Sequence, residues 1–224
     1  VRVHIFDVDF TIVACSTVRA FIFRGLREGI IGASLGFYVP ILFFRHGPAR
    51  SSIQGDERSY PFIRGVPRAS LEGLAERLFA EVFEQRIESA VAERIESIRS
   101  SGDRVIIASS SFSTILGPLS RHLGISDIVA SELEFSDGRA TGRLAGEPAF
   151  GEGKRSRVLA YLESIGVEPG ECSFYSDSHR DLPLLLEVGE AVAVNPDRRL
   201  RRIARESGWE IISTGRGGKE AQHA

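Results

Sequence analysis

Short apolar runs that each end in polar residues and lead into a helical stretch recur along this chain, and this pattern most narrows what it can fold into. Residues 3–8, 105–108, 127–130, 172–175, 190–194 and 209–212 read as buried strands. From residue 105 onward they alternate with helical segments at 112–123, 153–165, 181–187 and 197–206. Strands alternating with crossover helices make a parallel sheet. A hairpin joins 132–135 to 141–144 through Asp137 and Gly138. The predicted fold is α/β, a Rossmann-like parallel sheet with helices on both faces. Between the first strand and the strand at 105, helical periodicity takes over: helices at 16–28 and 30–45, a polar loop over 46–65 and a strongly helical 68–100 with a break near Gln85. That stretch predicts a helical insertion over 13–85, a cap on a core made of 1–12 and 86–224.

In an open parallel sheet the carboxyl ends of the strands form the ligand crevice. Asp7 and Asp9 follow the first strand and would sit in it. Two carboxylates this close raise one another's proton affinity, so one can stay ionised as a nucleophile while the other carries a proton. The same residues also fit a strand followed by an Asx-type turn, since Asp and Thr are ordinary turn and cap residues.

Bulk properties exclude little and bound the rest. With 224 residues, 42% hydrophobic and 26% charged, the chain has ordinary globular composition. A net charge of −2 gives no electrostatic case for nucleic acid, and Arg199, Arg201, Arg202 and Arg205 read as a solvated helix face. Cys15 and Cys172 form no metal-ligand pattern and are expected as reduced thiols in the cytoplasm. An acidic motif stands where a leader would need its apolar segment, so no leader is expected. Only two lysines, Lys154 and Lys219, stand against 26 arginines. Lysine's compact ammonium enters a tight anionic site that arginine's planar fork does not fit, which singles out Lys154 in Gly151-Glu152-Gly153-Lys154. A surface lysine at a helix start is the alternative.

Four polar clusters thus fall at strand ends or a helix start: Asp7 with Asp9, Ser109, Lys154, and Asp177 with Asp181. Together they suit a phosphate: serine donates to a phosphoryl oxygen, lysine neutralises charge, and carboxylates offer the oxygen ligands Mg²⁺ takes. On these residues the chain resembles the haloacid dehalogenase (HAD) superfamily of phosphatases, in subfamily IB with a helical cap between the first and second motifs, which includes phosphoserine phosphatases. Asp7–Thr11 matches the first motif, Ser109 the second, Lys154 the third, and Asp177 with Asp181 the fourth.

The resemblance implies that Asp7 attacks phosphorus and becomes an aspartyl phosphate, and that Asp9 protonates the leaving alcohol and then activates water. It implies Mg²⁺ held by the Asp7 side chain, the Asp9 backbone carbonyl and Asp177, with Asp181 as a further ligand or an orienting residue. The implied phosphate-binding set is Thr11, Ser109, Ser110 and Lys154. The partner is then a small-molecule phosphomonoester, and nothing in the sequence points to an oligomeric state.

Three departures bear on the substrate. Phe10 stands where many relatives have glycine, so positive φ is not expected there and the ring is expected to pack beside the site. Ser110 and Ser111 replace glycines common in phosphoserine phosphatases, and Ser176 replaces the usual glycine before Asp177. Phosphoserine specificity does not follow from such a chain. His179, between Asp177 and Asp181, is expected to be a solvent-facing turn residue because Mg²⁺ prefers oxygen. The stretch Ile30–Phe44 is apolar and free of charge before Arg45, too short for an ordinary membrane span of about 20 residues. It reads as a buried cap helix, with contact to a membrane or a lipid-like leaving group as the less favoured reading. Three alternatives to a metabolite phosphatase stay open: a phosphotransferase to an alcohol, a lipid-phosphate phosphatase, and a receiver-like module that is phosphorylated on Asp7 without turnover.

Overall fold

The computed structural model describes residues 1–32 and 59–214. The predicted helix over 30–45, most of the loop over 46–65 and the apolar Ile30–Phe44 lie, beyond residue 32, outside the described residues. The strands are β1 (Val3–Phe6), β2 (Arg104–Phe112), β3 (Asp127–Ser131), β4 (Leu133–Ser136), β5 (Arg139–Leu144), β6 (Cys172–Ser176), β7 (Glu190–Val194) and β8 (Glu210–Ile212). The helices are α1 (Thr17–Arg27), α2 (Arg68–Leu78), α3 (Ser89–Ser100), α4 (Ser113–Leu123), α5 (Glu152–Ser164), the short α6 (Leu182–Leu185) and α7 (Arg198–Ser207). Six strands form one sheet in the order β3-β2-β1-β6-β7-β8, and β4 with β5 forms a separate hairpin. Every pairing in the large sheet is parallel.

The period-2 alternation of the strands explains the two layers of helices. Phe6 is level with Ile107 and Tyr175, and Tyr175 with Val192. These residues share a buried cluster with Phe21 of α1, Leu71 and Leu74 of α2, Ile95 of α3 and Leu116 of α4. One residue earlier, Ile5, Ile106 and Phe174 point to the other face and pack with Val158 of α5, Leu184 of α6 and Leu200 of α7. The α/β sheet with helices on both faces is therefore the fold of this chain, and the hairpin is present. Its Asp137 and Gly138 have φ of 49° and 72°, the paired positive values of a type I′ turn.

The chain departs from β1 and returns at adjacent points: Ala14 donates to the Arg86 carbonyl at 2.9 Å and Glu88 to that of Ile12 at 2.9 Å. The break near Gln85 is real. The helical path widens over Phe79–Phe83, tightens over Glu84–Arg86 and stops before α3. One strand is longer than its apolar run. β2 continues through Ser109, Ser110 and Ser111 to the buried Phe112, because pairing with β3 carries it on, with a register shift between Ser109 and Phe112. Such an irregularity re-aims side chains at a strand end.

Candidate active site

Asp7 is the first residue past β1. Its N–H donates to the Tyr175 carbonyl at 2.9 Å, and the Phe6 and Tyr175 rings stack 4.0 Å apart beneath it. The next residues curl tightly: the amides of Thr11, Ile12 and Val13 all reach the Val8 carbonyl, at 3.2, 2.9 and 3.0 Å, while the Phe10 amide donates to the Val13 carbonyl at 2.7 Å. Closing so small a loop requires a left-handed residue, and Phe10 supplies it with φ of 59°. The expectation that Phe10 avoids positive φ is thus wrong. The backbone keeps the conformation that favours glycine, and the aromatic residue adopts it under constraint from the converging amides.

Lys154 arrives on the first turn of α5 through two glycines that the geometry requires. Gly151 has φ of 53°, and a Cβ on Gly153 would meet the Pro148 carbonyl oxygen at 2.1 Å. The buried ammonium then donates to Asp7 Oδ1 and to Asp181 Oδ2, both at 2.8 Å. Asp7 Oδ2 has no hydrogen-bond donor among the described residues. Asp181 Oδ2 also accepts from Ser176 Oγ at 2.7 Å, and Ser176 Oγ accepts from the Ser178 amide at 3.2 Å. Asp177, partly buried at the end of β6, has no donor to its carboxylate among the described residues, while its carbonyl accepts from the Asp197 amide at 2.8 Å.

Asp9 Oδ1 accepts from both the amide and the hydroxyl of Thr17, at 3.0 and 2.6 Å. Ser109 is buried within β2, not at its end as expected, and its Oγ accepts from the Ser111 amide at 3.2 Å. Ser110 is partly buried; its carbonyl accepts from Ser131 Oγ at 3.2 Å, and Ser131 Oγ accepts from the Ala149 amide, tying this strand end to the loop that carries Lys154. The Thr11 hydroxyl is buried and has no partner among the described residues.

The electrostatics follow from burial. Desolvation pushes the Asp7 carboxyl up to about 7, against the favourable pull of Lys154. Asp177 is raised well above the ordinary carboxylate range, first by burial and then by the charges of Asp7 and Asp181. Burial also raises Asp9, against the hydrogen bonds from Thr17 and Ser16. For Lys154 burial favours the neutral amine, but the two carboxylates outweigh it and the net shift is upward, so the ammonium is permanent. His179 stands apart from this cluster. Its ring Nδ1 lies 2.7 Å from Asp197 Oδ2 and its amide donates to the same oxygen at 2.9 Å, so it docks on a carboxylate where a solvent-facing turn residue was expected.

A profile of the haloacid dehalogenase-like hydrolase family matches residues 5–186. The chain belongs to that family. The hydrolase is 33% identical over 216 residues to a phosphoserine phosphatase of Mycobacterium tuberculosis, covering 92% of this chain and 68% of that one. It is 32% identical over 216 residues to a histidinol-phosphatase of Neisseria meningitidis, covering 93% and 97% of the two chains. Among solved structures, it superposes with a TM-score of 0.81 and 25% identity on a protein of unknown function from Bordetella pertussis Tohama I, covering 94% and 98%. The hydrolase is an enzyme, a phosphatase of this family acting on phosphate monoesters, which sets aside the receiver-like module.

Sequence reasoning passed over Thr17, Ser131 and Asp197, and treated Ser111 and Ser176 only as departures from glycine. Thr17 and Asp197 stand at helix starts, where a hydroxyl or carboxylate reads as an ordinary cap. Only their three-dimensional partners give them more.

Proposed function

We propose that this hydrolase is a Mg²⁺-dependent phosphatase of small phosphorylated metabolites that works through an aspartyl phosphate on Asp7, with Asp9 as general acid and base. One observation carries the reading: Lys154 Nζ lies 2.8 Å from both Asp7 Oδ1, just past β1, and Asp181 Oδ2, at the turn before α6, and leaves Asp7 Oδ2 without a donor among the described residues.

An ionised Asp7 about 4 Å from a phosphate charge meets a repulsion of roughly 4 kcal/mol at an effective dielectric near 20, and a dianion about doubles it. Lys154 offsets part of that repulsion and favours the charged form of Asp7 against desolvation. Asp7 Oδ2 attacks phosphorus in line, the bond from phosphorus to the ester oxygen breaks, and Asp9 delivers its proton to the departing alkoxide. Asp9 then takes a proton from the water that opens the aspartyl phosphate, and inorganic phosphate leaves. Ser109, Ser110 and the Thr11 hydroxyl, which has no partner among the described residues, are the phosphoryl-binding donors in this reading.

The donor set suits Mg²⁺. Asp7, Asp177 and Asp181 bring three carboxylates against one ammonium, the Asp177 carboxylate has no donor among the described residues, and every available ligand is oxygen. Asp7, the Asp9 carbonyl and Asp177 would hold the ion, with Asp181, engaged by Lys154 and Ser176, as orienting residue. When bound, Mg²⁺ supplies charge neutralisation at the phosphoryl oxygens.

The two named relatives point to a substrate class. Phosphoserine and histidinol phosphate are both phosphate esters of small amino alcohols, and that class is the proposed one here. The segment 13–85 is taken as a cap on the core of 1–12 and 86–224, supported by the adjacent departure and return at Ala14 and Arg86. A screen of phosphate release across amino-acid, sugar, nucleotide and lipid phosphates tests the class. Asp7→Asn should abolish Mg²⁺-dependent release, and full turnover by that variant would refute the nucleophile.

A further inference from the structure

The proposed reaction needs Asp9 to face the leaving oxygen while Ser109 holds a phosphoryl oxygen, and no bond joins those two side chains directly. Ser111 stands between them. Its Oγ lies 2.9 Å from Thr17 Oγ1, which is 2.6 Å from Asp9 Oδ1, and its amide donates to Ser109 Oγ at 3.2 Å. Thr17 and Ser111 are both buried, so no water competes for these bonds. The register shift between Ser109 and Phe112 brings a strand side chain to this position.

A threonine hydroxyl has one proton and two lone pairs. When Thr17 gives its proton to Asp9, its oxygen is left to accept the Ser111 proton, and the Thr17 rotor is then fixed from both sides. With alanine or glycine at 111 the Thr17 hydroxyl loses that second anchor and is free to turn from Asp9, which keeps the Thr17 amide and the Ser16 hydroxyl as its other donors.

We propose that Ser111 is a positioning residue: through the Thr17 hydroxyl it holds the Asp9 carboxylate where it can protonate the leaving oxygen, and through its amide it keeps that carboxylate in register with Ser109. The inference rests on the reading of Asp9 as general acid. A residue that acts only through Asp9 should matter where the leaving group needs a proton and be silent where it does not.

The test compares kcat/KM, which reports the steps up to departure of the alcohol, for p-nitrophenyl phosphate and for the alkyl phosphate that the wild type turns over fastest. For Ser111→Ala the alkyl value should fall about fivefold, the size of one neutral hydrogen bond, with the aryl value held within about twofold. Thr17→Val should behave likewise and Thr17→Ser should restore the alkyl value. The double variant Ser111→Ala/Thr17→Val should be no worse than Thr17→Val alone, because the two hydroxyls act in series. Equal losses on both substrates, or losses that add, would overturn the proposal, with thermal melts showing that each variant is folded. Asp9→Asn separates the two levels. If it lowers aryl and alkyl kcat/KM alike, the general-acid reading fails; if it discriminates and Ser111→Ala does not, only the positioning role falls.

Discussion

The Lys154 ammonium and the Asp7 carboxylate, 147 positions apart in the chain, meet at 2.8 Å in a buried pair whose side chains are only 4% and 7% exposed. Removing one member of such a pair leaves a buried charge uncompensated. Lys154→Met should destabilise the fold by about 3–5 kcal/mol at pH 8, measured by urea denaturation. Turnover should fall by at least ~10²-fold, as for loss of a preorganised donor to the reacting group. Lys154→Arg keeps the charge but should restore little turnover, because a planar fork does not reproduce the two 2.8 Å contacts that the compact ammonium makes with Asp7 and Asp181.

The raised carboxyls make stability depend on pH in a definite direction. Asp7 titrates at about 7 in the folded protein and Asp177 is raised well above its ordinary value, so the folded state binds protons more tightly than the unfolded chain. Their contribution is fully present below the unfolded carboxylate range and is lost as pH rises through about 7. Metal-free protein should therefore lose thermal stability between pH 6 and pH 8 (about one unit either side of that value). A divalent cation favours the ionised carboxylates, so the increase in Tm on adding Mg²⁺ should be larger at pH 8 than at pH 6. Differential scanning fluorimetry with chelator and with Mg²⁺ measures both slopes.

Phe10 offers a test in which the usual ranking of alanine and glycine reverses. Both substitutions remove the ring, so comparing them isolates the backbone at φ of 59°. Alanine is strained there and glycine is not, and Phe10→Gly should be more stable than Phe10→Ala by about 1 kcal/mol in chemical denaturation. Equal stabilities would mean that the loop relaxes to another conformation when the ring is removed.

Asp197 joins three parts of the fold. Its Oδ1 accepts from the Leu200 amide at 2.8 Å and caps α7, its Oδ2 takes the His179 amide and ring, and its own amide holds the Asp177 carbonyl. Asp197→Ala should cost about 1–2 kcal/mol, the upper range for a helix cap. It should also weaken Mg²⁺ activation, read as a higher Mg²⁺ concentration for half-maximal phosphate release. Burial raises this carboxyl, but the bonds from His179 and Leu200 outweigh it and the net shift is downward. Its stabilisation is accordingly present above the ordinary carboxylate range and lost as pH falls through its depressed value.

The sheet was readable because a strand's apolar period is local, and so was the placing of Asp7 and Asp177 just past strand ends; Ser109, expected at such an end, lies inside β2, which runs on to Phe112. Contacts set by distant partners were not readable. The hydroxyls of Thr17 and Ser111 meet across 94 positions with no pattern to announce it. β2 runs on through three serines because β3 is there to pair with, whatever their propensity. Phe10 misled because residue type was used to infer backbone conformation, whereas the loop's amides dictate the conformation and the side chain tolerates it.

Phe6 and Ile107 of the sheet belong to the same buried cluster as Phe21 of α1 and Leu71 and Leu74 of α2. The proposed cap over 13–85 is therefore no interchangeable cassette. A lineage that altered these helices to admit a different alcohol would have to repack the floor beneath Asp7 as well, so changes of substrate range and changes of thermal robustness should be inherited together in chains of this kind.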